Sequence, residues 1–331
     1  MKLAYLLAAH DQPAQLDRLI NVLDGDDVVF YVHIDGNADV APFEIFHESR
    51  SNVHFLRNRV RVTWMGYSHV ESILRLMAQA VADGFDYCVL LSGSDYPIKS
   101  NREIQDFFRK MDKEFITFWR LEDKPSWLHK IEYYYPIDLI PIHGYHKECE
   151  TVARRRWFWR LYFKCQPSMK KRSFLKGIIP YGGSDWFSLS HKCVTEVLDF
   201  TRENPSFVRF FKYTHCPSEL FFHTIILNSE LRQRVMNFDE YEQWSSSTSD
   251  DDKRREDKCL PEDSFNFRYI DWSGDVTRLR ESPAILDLRD WEMIRSSQDL
   301  FARKMHPVVS RDLLQLIDTH VLDLEPTHRD L

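Results

Sequence analysis

The sequence offers one carboxylate and one pair of cations in positions suited to chemistry. Glu219 lies in Pro217-Ser218-Glu219, directly before Leu220-Phe221-Phe222. A helix opening there, with Ser218 as its cap, would present unpaired backbone amides to the carboxylate. That favours its ionised form, ready to accept a proton. Acidic residues are also ordinary in a helix's first turn, so capping is the structural alternative. Arg303 and Lys304 adjoin in Phe301-Ala302-Arg303-Lys304. Both are cations near neutral pH, and Arg can donate two parallel hydrogen bonds to phosphate, which suits a diphosphate. The alternative is a solvated charge pair at a helix end. Asp35 and Asp95 each end an apolar run, where a carboxylate serves a turn or a ligand equally well. Trp64 suits the core or a flat surface for a base, and His10 a satisfied polar position or a ligand.

These residues need elements to hold them. Residues 3–9, 28–34 and 87–91 are continuous apolar runs and read as buried strands. Residues 53–56, 60–63 and 114–119 read as shorter ones. Between them, Leu16, Leu19, Ile20 and Leu23 form a helical stripe behind Asp11 as cap and Pro13 near the start. Val70, Ile73, Leu74, Met77 and Val81 form another after Ser68. Ser100-Asn101-Arg102-Glu103 is a capping-box pattern. Strand–helix alternation of this kind predicts an α/β fold, a mostly parallel sheet flanked by helices. Ligands collect beyond the carboxyl ends of such strands, which places His10, Asp35, Trp64 and Asp95 in one cleft. Residues 120–182 are rich in aromatic and basic types, and 245–258 lack any large apolar residue and read as an exposed loop.

Composition removes several functions. The chain has 331 residues, 43% of them hydrophobic, which excludes disorder as the dominant state. A net charge of −7 opposes a globally basic nucleic-acid binder. There is no P-loop, G-x-G-x-x-G or H-E-x-x-H, and the missing G-x-S-x-G elbow weakens a hydrolase triad. The six Cys show no C-x-x-C pattern, so a reducing compartment, the cytoplasm, is expected. No apolar stretch approaches the ~18 residues of a membrane span, and residues 3–9 read as a first strand rather than an export signal. Residues 154–164 combine four Arg and one Lys with Trp157, Phe158, Trp159, Leu161, Tyr162 and Phe163. Such a helix either packs its aromatics inward or lies peripherally in a lipid headgroup layer.

Six segments occur together in a recognisable order. They are His33-Ile34-Asp35, Trp64-Met65-Gly66-Tyr67-Ser68, Leu91-Ser92-Gly93-Ser94-Asp95-Tyr96-Pro97, Gly183-Ser184-Asp185-Trp186-Phe187, Pro217-Ser218-Glu219-Leu220-Phe221-Phe222 and Phe301-Ala302-Arg303-Lys304. Over about residues 3–305 the chain resembles glycosyltransferase family 14, the core-2/I-branching β-1,6-N-acetylglucosaminyltransferases and peptide O-xylosyltransferases. The versions of the last three motifs lean toward the xylosyltransferase branch.

The resemblance implies a single GT-A domain over residues 1–331. Residues 1–120 would be its nucleotide-binding α/β half, and 121–331 its acceptor-side half with a diphosphate-binding C-terminal segment. It implies inverting transfer of xylose or N-acetylglucosamine from a UDP-sugar to a hydroxyl, with Glu219 as general base. Arg303 and Lys304 would contact the diphosphate. Ala9, Asp35, Val62, Thr63, Trp64, Asp185, Trp186 and Ser282 would lie around the donor. No cofactor beyond the donor is expected. Many GT-A enzymes hold a divalent ion with Asp-x-Asp, and here the strand ends Gly93-Ser94-Asp95, with one acid; two cations replace the ion's charge. The acceptor would be a glycan, a lipid-linked saccharide or a protein serine. The membrane anchor of animal members is not seen in this sequence, so a cytoplasmic place, peripheral to a membrane, is expected. A nucleotide-sugar hydrolase and a non-catalytic carbohydrate-binding protein are the competing readings, and a base such as Glu219 has no use in the second.

Overall fold

Leu3, Tyr5, Leu7 and Ala9 face one core, and Ala4 and Leu6 the other. This is the alternation that a strand covered on both faces imposes. The computed structural model describes residues 1–45, 50–141, 150–249, 265–273 and 283–322. The chain begins β1 (Leu3–Ala9), α1 (Pro13–Leu23), β2 (Val28–Ile34), β3 (Val53–Phe55), α2 (Tyr67–Asp83), β4 (Tyr87–Ser92), β5 (Asp95–Pro97), α3 (Asn101–Met111) and β6 (Phe115–Arg120). It continues with α4 (Glu150–Cys165), β7 (Tyr181–Ser190), α5 (His191–Glu203), α6 (Ser218–Leu227), α7 (Phe238–Ser247), β8 (Arg268–Ile270), β9 (Phe301–Arg303) and α8 (Arg311–His320).

A six-stranded sheet runs β3-β2-β1-β4-β7-β6. β1 is parallel to β2 and β4, and β2 to β3. β7 is antiparallel to both β4 and β6. The expected α/β architecture is present, with an antiparallel edge the sequence did not reveal. Helix α2 covers one face through Val70, Ile73, Leu76, Met77 and Ala80, and Gly84 ends it in a left-handed conformation, φ 73. Full burial of such side chains contributes about 1.5–3 kcal/mol each. On the other face lie α1, α3 and α8. Ser100 and Glu103 cap α3 reciprocally, as predicted.

The two cores ignore a boundary at residue 120. Leu286, Leu300, Phe301, Met305 and Leu313 pack with β1 and β2, so the C-terminal segment belongs to the core of the first half. Three expectations are corrected. Residues 60–63 form no strand, because the Val60 and Val62 amides donate to side chains, His33 Nε2 at 2.8 Å and Asp35 Oδ1 at 3.1 Å. Asp11 does not cap α1; the helix is entered through Gln12, in a left-handed conformation at φ 55. The segment 245–258 does not begin as a loop. Residues 245–247 complete α7, and the buried Ser245 hydroxyl donates to Asp123 at 2.8 Å. Residues 250–258 lie outside the described ones.

Candidate active site

The carboxyl ends of β1, β2 and β4 deliver Ala9, Asp35 and Ser92 to one rim. Because β7 runs against β4, its early residues Ser184 and Asp185 reach the same rim. A cleft of about 1360 Å³ opens there. That exceeds the ~300–1,000 Å³ usual for one small ligand, so it has room for two.

Ala9, Asp35, Val62 and Trp64 line this cleft, as do Asp185, Trp186, Arg303, Lys304 and Glu219. Thr63 does not line it; its amide donates to Ser68 Oγ at 2.8 Å. Ser282 lies outside the described residues, and its neighbour Pro283 lines the cleft. His10 lines it too, whereas Asp95 does not. Asp95 is fully buried behind the rim, where Oδ2 accepts from the Ser92 amide at 2.7 Å. Asp35 Oδ1 accepts from Val62 and Asn37 amides at 3.1 and 2.9 Å, which fixes the turn carrying Trp64. Burial pushes the His33 pKa down to about 4, so its ring accepts as a neutral group at pH 7.

Glu219 occupies the first turn of α6, but Ser218 is no cap. Pro217 holds that position, and Ser218 is itself in the helix and buried. Glu219 Oε2 is instead met by the Lys130 ammonium. Lys130 is buried on a short helical turn, His129–Glu132, with its Nζ 3.4 Å from the Trp127 ring centroid. Lys124 lies 4.3 Å over Trp119 beside it. Burial first, then the Asp185 carboxylate, push the Glu219 pKa up to about 7, against the opposing pull of Lys130. A carboxylate so placed takes and releases protons near neutral pH. Met65 and Cys216 brace this wall. Both have left-handed backbone, φ 67 and 48, and the Cys216 amide donates to Met65 O at 3.1 Å. Such conformations cost ~1–3 kcal/mol and collect at functional sites.

Arg303 is neither solvated nor at a helix end. It closes β9, whose register sets it opposite Asp95 on β5. Its guanidinium lies 4.0 Å from the Trp186 ring centroid, with Arg268 5.7 Å from the same ring. Arg268 is fully buried, and its Nε is 3.7 Å from Asp95 Oδ1. Burial lowers the pKa of both Arg, to about 10 for Arg268, while Asp95 opposes the shift. Both Arg268 and Arg303 thus act on the buried Asp95 carboxylate, and Arg303 also feels Asp185. Among the described residues, Arg303 Nε and Asp185 Oδ1 are buried without a hydrogen-bond partner, and buried polar atoms in that state suit a bound group. Asp185 acts electrostatically on both Glu219 and Arg303, so it lies between the two walls. The strand that carries it depends on Gly183. A Cβ there would sit 1.8 Å from Thr117 O and 2.5 Å from His223 Nε2, beside the register shift between β6 and β7.

Sequence reasoning missed Lys130, Trp119, Trp127 and Arg268. The aromatic and basic composition of 120–182 marked the region of Lys130 and Trp127 but not the residues, and Trp119 was read only as the end of a strand. Arg268 carried no local signal. Among the described residues no three His, Cys, Asp or Glu side chains gather as a metal site would require.

A family model described as Core-2/I-Branching enzyme matches residues 3–294. Xylosyltransferase 2 of Canis lupus familiaris is 26% identical over 343 residues, covering 98% of this chain and 34% of its own. Xylosyltransferase of Ciona intestinalis is 25% identical over 331 residues, covering 96% and 34%. The chain spans about a third of the length of these relatives. In shape, mouse xyloside xylosyltransferase 1 matches 68% of this chain and 81% of its own with a TM-score of 0.30 and 13% identity, too low to carry an argument.

Proposed function

The chain belongs to the Core-2/I-branching enzyme family, and from that premise we propose that it is an inverting glycosyltransferase of GT-A type using a UDP-sugar donor. The observation that carries the reading is one cleft lined on one side by the Glu219 carboxylate, its pKa raised toward neutrality, and on the other by the cations Arg303 and Lys304. In this reading the acceptor hydroxyl lies between Glu219 and the anomeric carbon. Its oxygen forms the new bond to that carbon while Glu219 takes its proton. The bond from the anomeric carbon to the diphosphate breaks, and UDP leaves with the electron pair. Attack from the side opposite UDP inverts the centre, giving a β-linkage from an α-linked donor.

A positioned base contributes about 10²–10⁴-fold. Arg303 and Lys304 offset the charge that builds on the leaving diphosphate, and the reading assigns no step to a divalent ion. Trp64 and Trp186 offer flat faces on the donor side. The named activity of the relatives favours xylose over N-acetylglucosamine as the transferred sugar. The acceptor is a hydroxyl of a glycan, a lipid-linked saccharide or a protein serine.

Incubation with UDP-xylose or UDP-N-acetylglucosamine and a panel of hydroxyl acceptors tests the proposal. The expected product carries a β-linked sugar, identified by its anomeric proton coupling. An α-linked product would refute inversion. Donor cleavage that no acceptor diverts would point to a nucleotide-sugar hydrolase instead.

A further inference from the structure

The helix α4 divides its aromatic residues between two sides. Trp159 is 3% exposed and packs with Tyr133, Tyr135 and Ile137, with Phe158, Tyr162 and Met65 alongside. Its indole donates to Ile140 O at 3.0 Å. Trp157, by contrast, is 67% exposed and Leu161 44%. Positions 154, 157, 161 and 164 are spaced by three, four and three, so Arg154, Trp157, Leu161 and Lys164 share one outward face. Arg160 flanks it, and all five are exposed.

The charge around this face is one-sided. Between Glu150 and Asp185 stand nine Arg and Lys and no Asp or Glu, in a chain whose net charge is −7. Arg172 is spent internally, donating to the carbonyls of Tyr133, Tyr213 and Phe210. Lys171 pairs with Glu132 at 2.7 Å. Arg154, Arg156, Arg160, Lys164, Lys170 and Lys176 remain exposed.

We propose that α4 docks the protein on an anionic lipid surface, with Trp157 and Leu161 entering the headgroup layer and the surrounding Arg and Lys meeting lipid phosphates. Each basic residue near such a surface adds attraction, and a Trp flanked by cations suits the interface. A soluble polyanion would use the charges but has no need of the exposed Leu161. The inner face of α4 rests on Met65, which lines the cleft. The membrane would therefore lie on the side of the molecule that carries Lys130 and Glu219. Docking itself does not rest on the transferase reading, because its test measures binding alone.

Flotation of the full chain with vesicles tests this. Phosphatidylcholine alone is compared with a mixture containing about one third phosphatidylglycerol, at low and high salt. Binding is expected on the anionic vesicles at low salt, roughly 10²-fold above neutral vesicles, and reversed by salt. Replacing Arg154, Arg156, Arg160 and Lys164 by Gln together should abolish it. Trp157→Ser with Leu161→Ser should weaken it about tenfold. Both variants change exposed positions, so an unchanged melting temperature is expected and distinguishes lost docking from lost folding. No binding at low salt, or equal binding to neutral vesicles, would overturn the proposal. So would undiminished binding by the Trp157 and Leu161 variant, which would assign the face to soluble polyanions.

Discussion

The two walls of the cleft hold charge in different ways. On the Glu219 side, one carboxylate and one ammonium meet among Trp127, Trp119 and the first turn of α6. Glu219 is partly exposed, and its carboxylate meets the Lys130 ammonium. On the Arg303 side, Asp95, Arg268 and Arg303 are knitted into the small sheet β5-β9-β8, and the first two are fully buried. Protonation of Glu219 takes the counter-charge from the buried Lys130 ammonium, which still faces the Trp127 ring. Loss of Asp95 or Arg268 strands a partner that is fully buried. Chemistry and stability are thus less tightly bound together on the first wall than on the second.

The sharpest test of that contrast is Glu219→Gln. Transfer should fall by about 10²–10⁴-fold in kcat, with UDP affinity unchanged and a smaller loss of stability than at Arg268, because the Lys130 ammonium left behind still faces the Trp127 ring. A variant that keeps near-wild-type turnover would remove Glu219 from the mechanism. Arg268→Met should do the reverse. It strands Asp95 without its nearest cation, and breaking a buried pair costs about 3–5 kcal/mol. Chemical denaturation should show that loss; a change below ~1 kcal/mol would mean Arg303 alone neutralises Asp95. Lys304→Ala, on a partly exposed side chain of the same wall, should lower kcat/KM by about 10²-fold with little change in melting temperature. Arg303→Ala should lower it less, because Lys304 remains.

Smaller effects separate the walls further. Activity should decline as pH falls through about 7, because protonated Glu219 cannot accept a proton. Lys130 lowers that pKa, so Lys130→Met should move the acidic limb to higher pH, by about one to two units. A purely structural Lys130 would leave the limb in place while lowering activity at every pH. The least effect is expected from excess EDTA, which should leave the rate unchanged. Loss restored by Mn²⁺ would return Asp35 and Asp95 to consideration as ligands.

What the sequence disclosed follows from how locally each feature is determined. The bounds of β1 and β2 could be read to the residue, because strands buried on both faces are unbroken apolar runs. The capping box of α3 is likewise complete within four residues. Residues 60–63 misled because their alternation is real while their amides bond to side chains of β2 and its following turn. Ser218 misled because a cap depends on backbone geometry, and the helix starts one residue earlier than the pattern implied. Lys130 and Glu219 are 89 positions apart and share no motif. No spacing rule could join them. Arg303 looked like surface charge because nothing local announces that its strand pairs with β5.

That last pairing also sets an order of assembly. β5 and β9 join segments about 200 residues apart in the chain, so closing them costs more chain entropy than forming the neighbouring β1–β2 pair. During synthesis helix α6 with Glu219 emerges well before β9 does, so a nascent chain carries Glu219 while Arg303 and Lys304 are still unplaced. In the finished protein Arg303 rests on a sheet whose strands have only three residues each. Short ladders at a sheet apart from the main one are natural sites of early opening. Amide exchange would see them open before the central strands, and mild denaturant would displace Arg303 from the cleft while most of the helices still stood.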